Sequence, residues 1–329
     1  LSYRILSLDG GGIRGIISAV ILAEIEKLIN EPLNEYFDLI AGTSTGSILA
    51  TAVATGNKSQ QIIRLYQQKG KNIFPYQSRF SLKRLKLLFK YGISAPKFSD
   101  QGLIEVMQEQ FGSVNKLSDI PDSIKLLIIS YDTLGRKPII FKSWKEKYAD
   151  VPLWEACVCS ASAPTYFPAH LLNIQRTGYS AIDGGMGATN PSACAIAEAI
   201  RLKHPIEEIS VISIGTGDAS RPIPWQKARS WGLANWGWEG RLIDVMFDAS
   251  CDIHDYITEQ VMSEPDIETD HYCSRYLRLE PKLEQDQMDN SSTENINGLI
   301  DLTRKYLQSR SYKQPKFTNQ QLLEKFLGM

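Results

Sequence analysis

Residues Phe37 to Thr55 read FDLIAGTSTGSILATAVAT. An apolar run, a turn of small residues at Gly42-Thr43-Ser44-Thr45-Gly46 and an Ala-rich stretch follow one another. That order predicts strand, sharp turn and helix. It is the G-x-S-x-G pattern in the setting where it holds a serine at the tip of a strained turn. Such a serine needs neighbours without side chains, and Gly42 and Gly46 meet that need. Thr45 completes the elbow on the opening turn of the helix. A helix that begins just after Ser44 aims free N–H groups and the positive end of its dipole at any oxyanion formed there. Ser44 is therefore the candidate nucleophile. The plainer alternative is a small-residue helix start with Ser or Thr as its cap.

Upstream, Arg4 to Leu8 is a short apolar strand ending at Asp9, and Gly10-Gly11-Gly12-Ile13-Arg14-Gly15 follows. Ile17, Ile21, Ile25 and Leu28 then recur at helical spacing. Three readings of the glycine loop compete. Gly10, Gly12 and Gly15 satisfy a dinucleotide fingerprint, but the second strand ends at Ala41-Gly42-Thr43-Ser44 with no acid to hold a ribose. No Gly-Lys-Ser/Thr follows, so a phosphate-binding P-loop fails too. The favoured reading is an oxyanion hole of backbone N–H groups presented beside Ser44, since adjacent parallel strands deliver both loops to one carboxyl edge. A structural βα turn without chemistry is the third.

The composition sets the frame. A chain of 329 residues with 43% hydrophobic and 22% charged residues can build a large globular core. A net charge of −1 argues against a generally nucleic-acid-binding protein. Five cysteines, an odd number with no C-x-x-C pair, fit reduced thiols and a cytoplasmic setting. No run of about 18 apolar residues occurs, so no spanning helix is expected. No signal peptide is visible either. Charge is unevenly spread: from residue 39 to 99 there is no Asp or Glu, while ten basic residues lie between Lys58 and Lys97. Within that stretch RFSLKRLKLLFKYG puts Leu82, Leu85, Leu88 and Phe89 on one helical face, with Lys83, Arg84, Lys86 and Lys90 around it. A basic amphipathic helix of this kind suits an anionic membrane surface. It equally suits a surface helix packed on the core.

Further along, Asn57 to Gln77 reads as a helix with a possible break at Gly70, and Ser99 to Phe111 as another. Ile124 to Tyr131 and Lys137 to Lys142 read as strands, and Pro152 to Ser162 as a helix. The run Ser160 to Phe167, SASAPTYF, suggests one wall of an apolar slot. Tyr179 to Ile182 is a brief strand ending in Asp183-Gly184-Gly185. Ser192 to Leu202 is helical, Ile209 to Ile214 a buried strand, and Arg221 to Gly240 a loop carrying Trp225, Trp231, Trp236 and Trp238. That loop fits either a bilayer interface or a cap on the protein's own surface. Helix Leu242 to Met262, strand Tyr272 to Leu279 and helices Ile296 to Gln308 and Asn319 to Leu327 complete one domain over 1–329. Strands and helices alternate throughout it.

A serine nucleophile needs a base. His204, His254 and His271 follow Asp183 in the order a Ser-Asp-His triad requires, but none stands at a strand end with turn glycines. The alternative is that Asp183 takes the serine proton itself.

The set DGGGIRG, GTSTG and DGG, with SASAPTYFPAH between the last two, resembles the patatin-like lipid acyl hydrolases. These are related to the cytosolic calcium-independent phospholipases A. The likeness by motif covers about residues 4–217, with the segment 240–329 packed on that core. It implies a three-layer α/β/α sandwich around a mostly parallel sheet. It implies a Ser–Asp dyad of Ser44 and Asp183 with no catalytic histidine, and an oxyanion hole from Gly10, Gly11 and Gly12 with Arg14 nearby. It further implies no metal or other cofactor, and a membrane phospholipid or galactolipid as substrate. The basic stretch 58–97 and the Trp loop 225–238 themselves suggest peripheral contact with an anionic membrane. Some bacterial members work as effectors that degrade membranes under the control of a partner or second messenger.

Overall fold

The strands that carry the motifs are apolar along their whole length, which is what a sheet covered on both faces requires. A computed structural model describes residues 3–76, 78, 81–218, 222–237, 241–265, 272–284 and 288–329. Ten strands run β1 (Tyr3–Leu8), β2 (Leu39–Thr43), β3 (Lys125–Asp132), β4 (Lys137–Lys142), β5 (His170–Ile174), β6 (Thr177–Asp183), β7 (Ile209–Ile214), β8 (Ser263–Pro265), β9 (Tyr272–Ser274) and β10 (Tyr276–Leu279). The main sheet has the order β10-β7-β1-β2-β3-β6-β5, and β4 also pairs with β3. From β10 to β3 all pairings are parallel, whereas β6 and β4 are antiparallel to β3. Strands β8 and β9 form a separate antiparallel pair.

Alternation along the parallel strands sends side chains to two cores. Leu6, Leu8, Ile40, Ile128, Ile212 and Ile214 point to one face. There they meet α1 (Gly15–Ile29), α3 (Thr45–Ala54), α4 (Ser59–Ile73), α6 (Gln101–Phe111), α7 (Leu153–Ala161) and α13 (Thr293–Gln308). Ile5, Leu39, Ala41, Leu127, Ile129 and Val211 point to the other, against α9 (Ser192–Arg201) and the end of α12 (Arg241–Met262). The result is the expected sandwich of helices, mostly parallel sheet, and helices. The remaining helices are short: α2 (Leu33–Tyr36), α5 (Leu85–Tyr91), α8 (Gly185–Ala188), α10 (Trp225–Ala228), α11 (Leu233–Gly237) and α14 (Asn319–Phe326).

Several boundaries differ from the sequence reading. Helix α4 runs unbroken through Gly70, because Gly70 is buried against Ile13, where a Cβ would stand 2.9 Å from Ile13 Cδ1. Packing rather than a break explains that glycine. The loop 221–240 contains α10 and α11. The late strand divides into β9 and β10 at Arg275. Strand β5 was not expected. It pairs with β6 through a two-residue turn in which Gln175 and Arg176 both have positive φ, the backbone that a tight hairpin needs. His271, Trp238 and Arg79 lie outside the described residues.

Candidate active site

Strands β1 and β2 are neighbours with Leu8 opposite Gly42, so the glycine loop and the turn at Ser44 leave the sheet side by side. Ser44 has φ 54° and ψ −123°, a conformation strained for a residue with a Cβ. The flanking glycines act through space rather than through their dihedrals. A Cβ on Gly42 would stand 2.2 Å from Gly46 O, and one on Gly46 2.0 Å from Leu8 O. Helix α3 can press this closely on β1 and β2 only without those atoms. The elbow is braced from below: Ser44 N donates to Ser160 Oγ at 2.8 Å, and Ser160 Oγ donates to Ile129 O at 2.5 Å.

Asp183 arrives from the opposite direction. Strand β2 occupies one edge of β3 from Lys125 to Ile129, and β6 takes over the same edge from Ser130 onward, running antiparallel. The ends of β2 and β6 therefore meet head to head, Thr43 opposite Ile129 and Asp183 opposite Ser130. Ser44 Oγ donates to Asp183 Oδ2 at 2.6 Å. Gly185 N donates to Asp183 Oδ1 at 2.7 Å, fixing the carboxylate in plane. The side chain is 2% exposed. Burial pushes its pKa up to about 7, while the hydrogen bonds from Ser44 and Gly185 pull the other way. A buried carboxylate near 7 is a far better base at neutral pH than a free one.

The glycine loop closes the site from the β1 side. A Cβ on Gly10 would lie 3.2 Å from Ser44 Cβ. Gly12 has φ +60°, and its missing Cβ makes room for Met288 O. Gly10 N is already donated to Thr189 O at 3.1 Å. That leaves Gly11 N, Gly12 N and Thr45 N, for which no acceptor is found among the described residues. Arg14 lines the same cleft.

That cleft has a volume of about 260 Å³ and holds Ser44, Asp183 and Gly10 to Arg14 along one side. Ala161, Ala163, Tyr166 and Phe167 form part of its wall, where the sequence placed an apolar slot. Leu65 and Ile73 of α4, Phe74 just past its end, and Leu103 and Met107 of α6 line it too, and sequence reasoning missed them. Their spacing is that of ordinary core positions and gives no sign of a cavity. Ser160 was also missed as the brace under Ser44; the small-residue run that closes α7 was its only signal. Among the described residues no histidine lines the cleft. His204 stacks on Tyr3 with ring centroids 3.7 Å apart, and His254 Nδ1 lies 2.7 Å from Ser250 O. His170 Nε2 lies 3.1 Å from Glu155 Oε1.

The basic amphipathic segment keeps only part of its expected exposed face, since Arg84 is buried and Leu88 half-buried. Leu82 is 79% exposed and Phe89 88%, and Lys83, Lys86 and Lys90 are exposed around them. In the Trp loop, Trp225 is exposed beneath the Arg229 guanidinium, while Trp231 and Trp236 pack edge to face at 5.1 Å. No helix among the described residues is long and apolar enough to cross a membrane.

Comparison with known proteins fits this geometry. Residues 6–196 match the family model described as patatin-like phospholipase. Patatin-like protein 4 of Arabidopsis thaliana is 30% identical, covering 92% of this chain and 82% of its own length. A protein of Escherichia coli (strain TW11681) named cGAMP-activated phospholipase is 31% identical, covering 76% of this chain and 73% of its own. Among solved structures, VipD from Legionella pneumophila superposes with a TM-score of 0.38 at 11% identity, covering 92% of this chain and 67% of that one. That superposition is too loose to carry weight. The chain belongs to the patatin-like phospholipase family, a family of lipid acyl hydrolases.

Proposed function

We propose that this protein is a serine lipid acyl hydrolase that cleaves fatty acyl esters of membrane phospholipids or galactolipids through a Ser44–Asp183 dyad. The observation that carries this reading is the 2.6 Å hydrogen bond from Ser44 Oγ to a buried Asp183 at the head of an apolar-walled cleft. Asp183 takes the Ser44 proton as Oγ attacks the ester carbonyl. The oxyanion is met by the N–H groups of Gly11, Gly12 and Thr45, with the start of α3 behind it. Collapse expels the lysolipid alkoxide, which leaves with the proton Asp183 had taken. Asp183 then activates a water that opens the acyl-enzyme and releases the fatty acid. The acyl chain lies along Leu65, Ile73, Phe74, Met107 and Phe167.

The substrate reaches this cleft from a membrane surface. The turn Leu82–Arg84, α5 and the residues just after it present Leu82, Phe89 and Ile93 with Lys83, Lys86 and Lys90, the combination that binds an anionic bilayer. The segment is tied to the slot. Phe74 lines the cleft, and Arg84 Nε donates to Pro96 O at 3.2 Å, next to Lys97 and Phe98.

Treatment with an organophosphonate followed by mass spectrometry tests the dyad. The adduct is expected on Ser44, absent in Ser44→Ala and slowed at least about 100-fold in Asp183→Asn. His204→Ala, His254→Ala and His271→Ala are expected to label at the wild-type rate. Loss of labelling in one of them replaces the dyad with a triad. The named activation of the Escherichia coli relative supports a second reading, in which hydrolysis is latent until a second messenger binds. A wild-type rate that rises on adding cGAMP would select it.

A further inference from the structure

Asp9 opens the glycine loop and is buried, with one carboxylate oxygen, Oδ2, committed and the other, Oδ1, without a partner among the described residues. Asp9 Oδ2 lies 2.6 Å from Arg278 Nη2 and accepts a hydrogen bond from Cys251 Sγ at 3.3 Å. The same Arg278 Nη2 lies 2.9 Å from Glu280 Oε2, and Arg278 Nη1 donates to Ser213 Oγ at 2.8 Å. Arg278 is itself 6% exposed, and it reaches this position because β10 pairs in parallel with β7, Arg278 opposite Ser213. Asp9, Cys251 and Glu280 offer donor atoms close enough together to hold a metal ion. The guanidinium occupies the middle of that group, at hydrogen-bond distance from both carboxylates, and is the cation there.

The rest of the loop is also gripped from the C-terminal third and from the end of β7. Ile13 N donates to Met288 O at 2.8 Å, and Thr216 Oγ1 donates to Gly10 O at 2.7 Å. A Cβ on Gly11 would stand 2.0 Å from Thr216 Oγ1, so the loop lies flat against that side chain.

We infer that Arg278, outside the family-matched segment 6–196, is a positioning residue: it ties Asp9 to Glu280 and Ser213 and thereby sets where Gly11 and Gly12 present their N–H groups to the oxyanion. This rests on the Ser44–Asp183 reading. Arginine suits the task because one arm of its planar fork, Nη2, meets both carboxylates while the other, Nη1, holds Ser213, whereas a lysine ammonium offers a single point charge. The stake is large for a small displacement, because removing one oxyanion donor costs about 100- to 1000-fold in kcat and misplacement by about 1 Å about 100-fold.

The test uses the full chain, a soluble short-chain ester, and the variants Arg278→Lys and Asp9→Asn. In each, kcat is expected to fall about 10- to 100-fold while KM stays within about twofold, the mark of an interaction made only in the transition state. Millimolar guanidinium is expected to restore part of the rate to Arg278→Ala and to leave wild type unchanged. Wild-type kcat in a folded Arg278→Lys or Asp9→Asn overturns the inference, as does a rise in KM at constant kcat. If neither variant folds, the pair serves folding rather than positioning, and the inference is equally overturned. Failure of the underlying dyad reading looks different: the wild-type chain then shows neither hydrolysis nor a Ser44 adduct, whatever stands at 278.

Discussion

Burying Asp183 beside a neutral hydroxyl sets two pH dependences of opposite sign. In the proposed dyad Asp183 must be ionised to accept the Ser44 proton, so kcat/KM should climb about tenfold per pH unit below about 7 and level off above it. Stability runs the other way. The folded pKa is raised above the ordinary value of 3.8, so the native state binds more protons than the unfolded chain between those two values. The contribution of this group is greatest below the unfolded pKa and is lost as pH rises through about 7. Asp183→Asn should therefore abolish most activity yet stabilise the fold at pH 8, by on the order of 2–4 kcal/mol at most, with a raised thermal midpoint. That gain should shrink by more than half at pH 5. Calorimetry at the two pH values decides it; equal midpoint changes at both would mean that burial does not strain the carboxylate. Ser44 adds a second local cost through its backbone, of the order of 1–3 kcal/mol for such a conformation.

At the scale of elements, the site is a meeting of two turns that need missing atoms. Gly46→Ala forces a Cβ against the Leu8 carbonyl and must push α3 off β1. A loss of at least about 1–3 kcal/mol is expected, with loss of activity as the elbow opens. Gly187→Ala is the control: nothing lies within 4 Å of its Cβ, and the change should leave stability unchanged or raise it by up to about 1 kcal/mol. Denaturant melts of the pair read this directly, and equal stability would show that close approach is not the reason for the glycine. The elbow was legible because Gly42, Ser44 and Gly46 fall between an apolar strand and an Ala-rich helix, so local pattern and tertiary role agree. Strands β1, β2, β3 and β7 were legible for the same reason, as apolar runs closed by Asp or Gly. Strand β5 was not, because HLLNI is a short edge strand and its turn, Gln175-Arg176, lacks the Asn-Gly or Gly signal of a tight hairpin. The head-to-head arrival of β6 was hidden too. Its partner on β3 lies about 50 residues back, and no local pattern states which edge a strand joins or in which direction. Arg278 gave no sign at all, since an arginine in a strand reads as a solvent-facing residue until its partners are known.

At the scale of the whole molecule, a net charge of −1 conceals a separation of charge. The acid-free segment supplies both α4, which lines the cleft beside Ser44, and α5, which carries its lysines and Phe89 into solvent. An amphipathic pattern alone did not say whether Leu82 and Phe89 face a core; their exposure does. If the proposed substrate is a bilayer lipid, a surface of this composition predicts binding driven by charge and completed by insertion. Wild type should sediment with vesicles containing anionic lipid, poorly with zwitterionic ones, and binding should weaken as salt shortens the screening length from about 10 Å toward 3 Å. At about 1 kcal/mol per basic residue near the surface, Lys83→Glu/Lys86→Glu/Lys90→Glu should cost at least about 100-fold in partitioning onto anionic vesicles. Phe89→Ser should weaken binding at low and high salt alike, because the contribution it removes is apolar. None of these side chains lines the cleft, so both variants should keep the wild-type rate on a soluble ester while losing hydrolysis of vesicle lipid. Binding that ignores salt and survives the triple reversal would assign membrane contact to another face, with the loop bearing Trp225 the next to test.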